Sequence, residues 1–424
     1  MPSSLTASEQ RIVDAVDRDG LVSAARRLVR IQSDGGRESE AQVAVAELME
    51  ELGLEVDRWE IDLREVERHE AASWEIDRGH ALGVVGTLPG HSPGGRSLVL
   101  NGHVDVVPAG DPLTWSHPPY AGVVEDGRLY GRGSLDMKGP LMAGLFALHA
   151  IRRAGIELAG HALLQSVVGE EDGGIGTLAS ILRGHAGDAA IVLEPTRMVV
   201  APVQSGCINV RVVVPGRAAH GAIRTEGVSA LEKLHVIHRA VIALEEARNE
   251  PYRGEPLYRP YPTPFPICLG TVHGGSWASS VPDRVSVEGR VGVLPGETMT
   301  AARAAFEHAV AEASANDDFL RDHPPVIEWW GGRFYPVDTP VDAEVVTTVA
   351  TALQDVTGEN PPYEGVPFGA DAGLFAHVAQ IPAVLFGAGD IRRAHGPNEY
   401  IDIDELVDMS RVLAVAVARF CGTR

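Results

Sequence analysis

The chain of 424 residues is too long for one ordinary hydrophobic core, so we expect two domains. Its composition, with 45% hydrophobic and 22% charged residues, is typical of a globular protein, and its net charge of −22 argues against nucleic acid or an anionic membrane as a partner. Three widely spaced cysteines, Cys207, Cys268 and Cys421, exclude a disulfide framework and a thiolate zinc site and favour a reducing compartment. Since no apolar stretch reaches membrane-spanning length, we expect a cytoplasmic protein.

The first half of the chain alternates predicted helices with predicted strands. Apolar residues recur at helical spacing over 6–31 and 38–53, and Gly53 ends the second of these segments. A half-buried strand at "LEVDRWEID" is followed by a charged excursion over 63–80 and by strands at "ALGVVGTLPG" and "SLVLNGHVDVV". A helix over 137–153, a strand at "HALLQSVVG", a helix at "IGTLASILRG" and a strand at "AAIVLEP" complete the alternation. This order predicts an α/β sheet with a site at its strand ends.

The pattern changes after Gln204. A strand at "CINVRVVVPG", a helix over about 228–247, strands at "PICLGTVHGG" and "VSVEGRVGVL", a helix over 298–315 and a strand at "PVIEWWGG" follow one another. The order strand–helix–strand–strand–helix–strand is typical of a ferredoxin-like α+β unit, which in an inserted position serves as a lid or an assembly domain. The α/β pattern returns from about Phe334. We therefore predict an α/β domain in two parts, 1–205 and 334–424, interrupted by a small domain over 206–333.

Acidic and imidazole side chains collect at the predicted strand ends of the α/β domain. The set is His103, Asp105, Asp136, Glu170, Glu171, Glu194 and His395. Taken singly, each has an ordinary explanation as a polar residue that ends a strand or caps a helix. Two imidazoles and several carboxylates at one sheet edge, however, suit two zinc-like ions that share one carboxylate. Asp136, in a glycine-punctuated turn before a helix, is the natural shared ligand.

Glu170 and Glu171 are adjacent and point to opposite sides of an extended chain, so they cannot easily bind the same ion. One of them therefore ligates metal, and the other faces the reacting water as a general base. Asp105 lies on the same side of its strand as His103. There it can accept the second ring N–H of this histidine or otherwise steady the site.

Six fragments of the chain carry a resemblance to a known family: "NGHVDVVP", "LYGRGSLDMKG", "VVGEEDGGIGT", "VLEPT", "AAHG" and "HGPNEYI". In this order they resemble the dinuclear zinc hydrolases that include acetylornithine deacetylase, succinyl-diaminopimelate desuccinylase, aminoacylase and carboxypeptidase G. The resemblance spans nearly the whole chain. It implies a zinc-peptidase-like catalytic α/β domain, with a mixed sheet flanked by helices, which a ferredoxin-like lid or dimerisation domain interrupts.

The resemblance also implies a role for each strand-end residue. One ion would be held by His103, Asp136 and Glu194, and the other by Asp136, Glu171 and His395. Glu170 would be the general base and Asp105 the carboxylate that steadies His103. The ions would be Zn²⁺, although Co²⁺ or Mn²⁺ suit such ligands as well. The peptide bond between Asp136 and Met137 would be cis.

Four further residues match family positions outside the metal ligands. His220, in "PGRAAHGA", resembles a histidine that crosses a dimer interface and stabilises the developing oxyanion in the neighbouring subunit. Arg290 matches a position that binds a substrate carboxylate. Ser279 replaces an asparagine that contacts substrate in relatives, and Gly387 lies in a loop that matches a substrate loop.

These residues together predict a homodimeric, metal-dependent hydrolase of the amide bond in an N-acyl amino acid or a related small amide. Glu194 in place of an aspartate favours a deacylase, because peptidases of the family more often carry Asp there. The alternatives are a carboxypeptidase or dipeptidase, a non-catalytic binding protein on the same fold, and a single-metal hydrolase of carbamoyl or ring amides.

Overall fold

The protein is described by a computed structural model that covers residues 5–424. This part of the chain forms two compact units. Unit 1 comprises the described residues up to Val203 together with Val337–Glu364 and Ala370–Arg424, and unit 2 comprises Gln204–Pro336 and Gly365–Gly369. Within residues 5–424, every helix is too short or too polar to span a bilayer.

The predicted helices and strands occur in the predicted order, and several short elements that were not predicted lie between them. The α-helices are α1 (Ala7–Asp14), α2 (Arg18–Val29), α3 (Ser39–Glu51), α4 (Leu63–Val66), α5 (Lys138–Arg153), α6 (Ile175–Leu182), α7 (Ala230–Asn249), α8 (Met299–Ala315), α9 (Glu344–Thr357), α10 (Ala372–Leu374) and α11 (Ile403–Cys421). The strands are β1 (Glu55–Glu60), β2 (Leu82–Leu88), β3 (Leu98–His103), β4 (Val123–Glu125), β5 (Arg128–Tyr130), β6 (Ala162–Val167), β7 (Ala189–Val192), β8 (Val200–Gln204), β9 (Gly206–Pro215), β10 (Ile267–Gly274), β11 (Arg284–Val293), β12 (Val326–Phe334), β13 (Val337–Asp338), β14 (Tyr363–Val366), β15 (Ala383–Leu385) and β16 (Tyr400–Asp402).

A mixed sheet forms the centre of unit 1, as predicted. Within the described residues it has nine strands in the order β1-β2-β6-β3-β7-β15-β8-β13, with β14 beside β8. Strands β6, β3, β7 and β15 run parallel, whereas β2 pairs antiparallel with β6 and β8 pairs antiparallel with β15. The parallel strands consist mainly of buried apolar residues because helices, among them α3, α5, α6 and α11, pack against the sheet.

A second, three-stranded sheet of unit 1 has the order β16-β5-β4. It was missed in the sequence, because each strand has only three residues and β16 pairs with β5 from about 270 positions further along the chain, Tyr400 opposite Tyr130. Such short strands carry no usable periodicity. This sheet places the turn that precedes α5 beside the loop that precedes β16.

Unit 2 has the predicted ferredoxin-like order of elements, β9-α7-β10-β11-α8-β12. Its four strands form an antiparallel sheet in the order β10-β11-β9-β12. Buried residues alternate with more exposed ones along β9, which agrees with its alternating sequence. The core contains Val212 of β9 and Val287 of β11 together with Ile237 of α7 and Phe306 of α8.

Candidate metal centre

The carboxyl ends of the parallel strands bring the predicted ligands to one edge of the large sheet. His103 is the last residue of β3, and Glu170 and Glu171 follow the end of β6 after a short turn. Glu194 follows β7, the neighbour of β3 on its other side. Since parallel neighbours end at the same edge, residues far apart in sequence become neighbours in space. Asp136 is added from the turn before α5.

Asp136 lies between two imidazoles. Its Oδ1 is 3.1 Å from Nε2 of His103, and its Oδ2 is 3.3 Å from Nε2 of His395. His395 Nε2 is also 3.1 Å from Oε2 of Glu171. The peptide bond between Asp136 and Met137 is cis, which confirms that expectation. One carboxylate thus presents each of its oxygens to a different histidine, the arrangement required of a ligand shared by two ions.

Two groups of three side chains could each hold a metal ion, because the ligand atoms within each group lie within 4.8 Å of one another. The first contains His103, Asp136 and Glu171, and the second contains His103, Glu170 and Glu194. The structure therefore brings all the predicted ligands together, with Glu170 among them. How the ligands divide between two ions remains a prediction.

The ring of His103 is oriented by the backbone of Asp105. Its Nδ1 donates to the Asp105 carbonyl oxygen at 2.9 Å, whereas the nearer carboxylate oxygen of Asp105 is 3.7 Å away. The other carboxylate oxygen accepts the backbone N–H of Glu171 at 3.0 Å. A proton on Nδ1 leaves the lone pair on Nε2, the nitrogen that faces Asp136, and this is the tautomer that binds metal. Asp105 thus contacts both His103 and Glu171.

Charge is concentrated at this site, where Asp136, Glu170 and Glu194 are buried and the side chain of His395 is about half exposed. Burial raises the pKa of the Glu170 carboxyl well above its usual range, and the charge of Glu194 raises it further. Burial and the nearby Asp136 have the same effect on the pKa of Glu194. The hydrogen bonds that His395 donates to the Asp136 and Glu171 carboxylates raise its pKa to about 10. Groups that titrate so far from their usual values mark a site with strong negative potential, which favours cations.

The donor set fits a divalent cation. Oε1 of Glu194 and Oδ1 of Asp105 are buried and have no hydrogen-bond partner among residues 5–424. A buried carboxylate oxygen without a partner is costly unless a cation neutralises it. Imidazole nitrogen and carboxylate oxygen are ligands that zinc accepts.

Comparison with known proteins agrees with this geometry. The sequence model of peptidase family M20/M25/M40 matches residues 99–419. The chain belongs to this family. It is therefore a hydrolase that acts on carbon–nitrogen bonds.

Relatives in the family have named activities. The N-formyl-4-amino-5-aminomethyl-2-methylpyrimidine deformylase of Bacillus subtilis (strain 168) is 30% identical over 435 residues, which cover 96% of each chain. The acetylornithine deacetylase of Myxococcus xanthus is 31% identical over 374 residues, 84% of this chain and 91% of that relative. Among solved structures, the di-peptidase Dug1p from Saccharomyces cerevisiae shares the fold with a TM-score of 0.74 at 16% identity, covering 99% of each chain.

The remaining predicted residues fall in different surroundings. His220 and Ser279 are exposed neighbours in unit 2, where the backbone N–H of Gly221 donates to the Ser279 carbonyl at 2.6 Å. Arg290 lies on β11 and donates to the Pro367 carbonyl at 3.5 Å. Gly387, in unit 1, packs against the backbone of Glu194, and a Cβ there would lie 2.4 Å from the Glu194 carbonyl oxygen.

Two charged residues beside the family ligands were not singled out in the sequence. Arg132 and Glu399 form a buried ion pair of 2.6 Å that contacts the backbone at Asp136 and at His395. Both lie within the quoted fragments "LYGRGSLDMKG" and "HGPNEYI". The signal that could have found them is a charged residue four positions from a predicted ligand, within a fragment that carries the family resemblance.

Proposed function

We propose that the protein hydrolyses the amide bond of a small N-acyl compound, as a deacylase with two divalent metal ions. The observation that carries this proposal is the position of Asp136, with one carboxylate oxygen facing His103 and the other facing His395. A shared carboxylate flanked by two imidazoles gives each ion its own terminal ligand.

In this proposal His103, Asp136 and Glu194 hold one ion, and Asp136, Glu171 and His395 hold the other. The ions are Zn²⁺, which accepts this mixture of nitrogen and oxygen donors. When bound, a pair of such ions activates water and polarises the carbonyl of the scissile amide.

Glu170 is the general base. It is buried, and its Oε2 lies 3.9 Å from Nε2 of His103, beside the ligands yet outside hydrogen-bond distance of that histidine. Its raised pKa, caused by burial and by Glu194, suits a group that takes a proton from water and then returns it to the leaving amine. Asp105 steadies this arrangement because it contacts His103 through its carbonyl and Glu171 through its carboxylate.

His220 is proposed to stabilise the oxyanion in the site of a second copy of the chain, which implies a homodimer. Its Nδ1 accepts the backbone N–H of Ala222 at 3.1 Å. The neutral ring therefore carries its proton on Nε2, so this nitrogen is a donor. Since His220 is exposed in its own subunit, that donor is free to meet an oxyanion elsewhere.

The substrate is proposed to carry a small acyl group, formyl or acetyl. The two relatives with the activities described above, a deformylase and a deacetylase, both remove such a group and align with most of this chain. Arg290 and Ser279 are proposed to contact the rest of the substrate, and Gly387 to shape the loop at Glu194. A dipeptidase is the second candidate, and the likeness to Dug1p supports it only at the level of the fold.

A cytoplasmic location belongs to the same proposal. Cys207, Cys268 and Cys421 form no disulfide among residues 5–424, with Cys268 on the surface and Cys207 and Cys421 in the interior. Cysteines that stay reduced are typical of a reducing compartment.

A substrate panel tests the proposal. Zinc-loaded protein should turn over N-formyl or N-acetyl compounds at least about 100-fold faster than dipeptides, and the metal-to-protein ratio should be two. Faster turnover of dipeptides would favour the peptidase, and a ratio of one would favour a single-metal hydrolase. No turnover across the panel with two bound ions would favour a binding protein.

A variant of the general base provides the matched control. Glu170→Gln keeps the shape of the side chain but cannot accept the proton. It should retain two ions and lose turnover by about 100-fold or more. Normal turnover in this variant would assign the base to another residue.

A further inference from the structure

We infer that the buried ion pair of Arg132 and Glu399 is a positioning device that fixes the bridging carboxylate and His395 at the spacing needed to hold the second metal ion. The inference rests on the proposed metal centre. Neither residue contacts substrate or ligand atoms in this view. They act through the backbone of the residues that do.

Glu399 holds the turn that carries Asp136. Its Oε2 accepts from Nη1 of Arg132 at 2.6 Å, and neither side chain is more than 2% exposed. Its Oε1 accepts the backbone N–H of Leu135 at 3.0 Å and that of Asp136 at 3.3 Å. Both carboxylate oxygens are thus occupied, one by the arginine and the other by the backbone of the bridging residue.

Arg132 holds the loop that carries His395. Its Nη2 donates to the His395 carbonyl at 3.1 Å, and its guanidinium lies over the ring of Trp115, 5.2 Å from the ring centroid. The backbone of His395 has φ of 63°, in the left-handed region that residues other than glycine seldom adopt. Such a conformation is unfavourable for a residue with a side chain and persists only where surrounding contacts enforce it. The Arg132 bond is one of those contacts.

The three-stranded sheet delivers the two residues to each other. β5 ends immediately before Gly131 and Arg132, and Glu399 immediately precedes β16. Tyr130 pairs with Tyr400 across these strands, and the pairing continues where Gly131 N–H donates to the Glu399 carbonyl at 3.0 Å. The register of the sheet therefore brings Arg132 and Glu399 together. The ion pair in turn fixes the positions of Asp136 and His395, two proposed ligands that are distant in sequence.

Stability alone gives no reason to bury this pair. Removing two charges from water costs several kcal/mol per ion, and an apolar pair of similar volume is often at least as stabilising. What an apolar pair cannot supply is directed hydrogen bonds to the Leu135 and Asp136 N–H groups and to the His395 carbonyl. Arginine suits the task because its planar fork donates in two directions at once.

Arg132→Lys is the diagnostic variant, because it retains the charge and loses the fork. A lysine ammonium cannot reach Glu399 and the His395 carbonyl in the same geometry. We expect the affinity of the ion held by Asp136, Glu171 and His395 to fall about 10- to 100-fold. The other ion keeps His103 and Glu194, which the pair does not contact, so its affinity should change far less.

The experiment is a titration of full-length apoprotein with Zn²⁺ against a competing chelator, which yields a stoichiometry and an affinity for each ion. Wild type should bind two ions, and Arg132→Lys should bind one as before and the second more weakly. Excess Zn²⁺ should restore turnover of the variant, which a general loss of folding would not allow.

Arg248→Lys is the matched control. Arg248 forms a bidentate pair with Glu297 in unit 2, at 2.7 and 2.8 Å, with side chains that are 8% and 14% exposed. The same substitution there should leave both zinc affinities unchanged. If Arg132→Lys and Arg248→Lys weakened both zinc affinities equally, the loss of any buried ion pair would explain the result. That outcome would overturn the inference.

Glu399→Gln serves as a second variant. It keeps an acceptor for the Leu135 and Asp136 N–H groups but places an amide where Arg132 needs a carboxylate. It should lower the affinity for the same ion by a smaller factor than Arg132→Lys does. If Arg132→Lys does not fold, the zinc affinities of Glu399→Gln test the inference. Wild-type affinities for both ions in the folded variants would overturn the inference. A wild-type protein that binds fewer than two ions would instead refute the proposed metal centre.

Discussion

The two units of the protein bury different kinds of side chain. In unit 1, His103, Asp136, Glu194, Arg132 and others are almost completely removed from solvent. Among residues 5–424, all the charged side chains with so little exposure lie in unit 1. The core cluster of unit 2 consists of apolar side chains, and the best shielded ion pair of this unit, Arg248 with Glu297, retains some exposure.

The difference between the two units reflects two roles of buried residues, stabilisation of the fold and formation of a functional site. An apolar core stabilises a fold in proportion to the area it removes from water. A buried charge costs free energy unless it is paired, so its presence needs another reason. In unit 1 that reason is the carboxyl edge of the parallel strands, where the proposed chemistry takes place. Changes to buried residues should therefore affect metal and turnover in unit 1 and only stability in unit 2.

The largest effect is expected at the shared ligand. Asp136→Asn keeps the shape of the side chain but removes its charge and one carboxylate oxygen. Turnover should fall by about 10⁴-fold or more, because residues that act as one catalytic unit fail together. The metal-to-protein ratio should fall from two to one or less, as measured by atomic absorption after dialysis.

Asp318→Asn provides the control for this variant, since Asp318 is fully exposed in unit 2 and, within residues 5–424, forms its ion pair with Arg321 alone. It should leave metal content and turnover at wild-type values. Two retained ions and normal turnover in Asp136→Asn would contradict the assignment of the shared ligand.

The next effect concerns a second buried ion cluster of unit 1. Arg78 lies 3.0 Å from Glu38 and 2.8 Å from Asp172, and all three side chains are at most 4% exposed. Arg78→Ala leaves both carboxyls buried without their partner, which should lower the free energy of unfolding by about 3–5 kcal/mol. Turnover should fall as well, because Asp172 adjoins Glu171 in the same loop. Urea unfolding and a rate assay measure the two losses.

The stability loss of Arg78→Ala should depend on pH. Burial already raises the pKa of Glu38, and without the arginine the folded-state pKa rises further. A carboxyl with a folded pKa above its unfolded value destabilises the protein increasingly as pH rises between these two values. The loss should therefore be larger at pH 8 than at pH 5. An equal loss at both values would show that lost packing, rather than charge, causes it. Arg211→Ala, at a partly exposed ion pair of unit 2, should change stability little at either pH.

The sequence predicts where three of the proposed ligands lie, because His103, Glu170 and Glu194 each come at or after the end of an apolar run that is typical of a buried strand. Parallel neighbours must end at one edge, so His103, Glu170 and Glu194 had to meet. It does not reveal which atom of Asp105 orients His103, since the carbonyl and the carboxylate are equally near in sequence. Nor does it reveal the Arg132–Glu399 pair, because the pairing depends on the register of a three-residue strand.

A smaller effect is expected in the core of unit 2. Ile237 on α7 is completely buried in the apolar cluster. Ile237→Val removes one methylene group and should lower the free energy of unfolding by about 1 kcal/mol. Because no charged group of the metal centre belongs to this core, zinc stoichiometry and affinity should stay at wild-type values. A change in zinc affinity would show that the two units are coupled more tightly than their interiors suggest.

The smallest effect is expected from a thiol reagent, which should modify an exposed cysteine without altering the interior of either unit. Cys268 is exposed on β10 of unit 2, whereas Cys207 and Cys421 are buried, and burial raises the pKa of the Cys421 thiol to about 12. Only a thiolate reacts with disulfide reagents, so one thiol should react in native protein at pH 8 and three in denaturant. Cys268→Ser should abolish the native reaction and leave turnover unchanged. If Cys421 reacted as fast as Cys268, the interior of unit 1 would have to open to solvent frequently. Frequent opening would contradict a metal centre whose buried charged side chains are held in fixed positions.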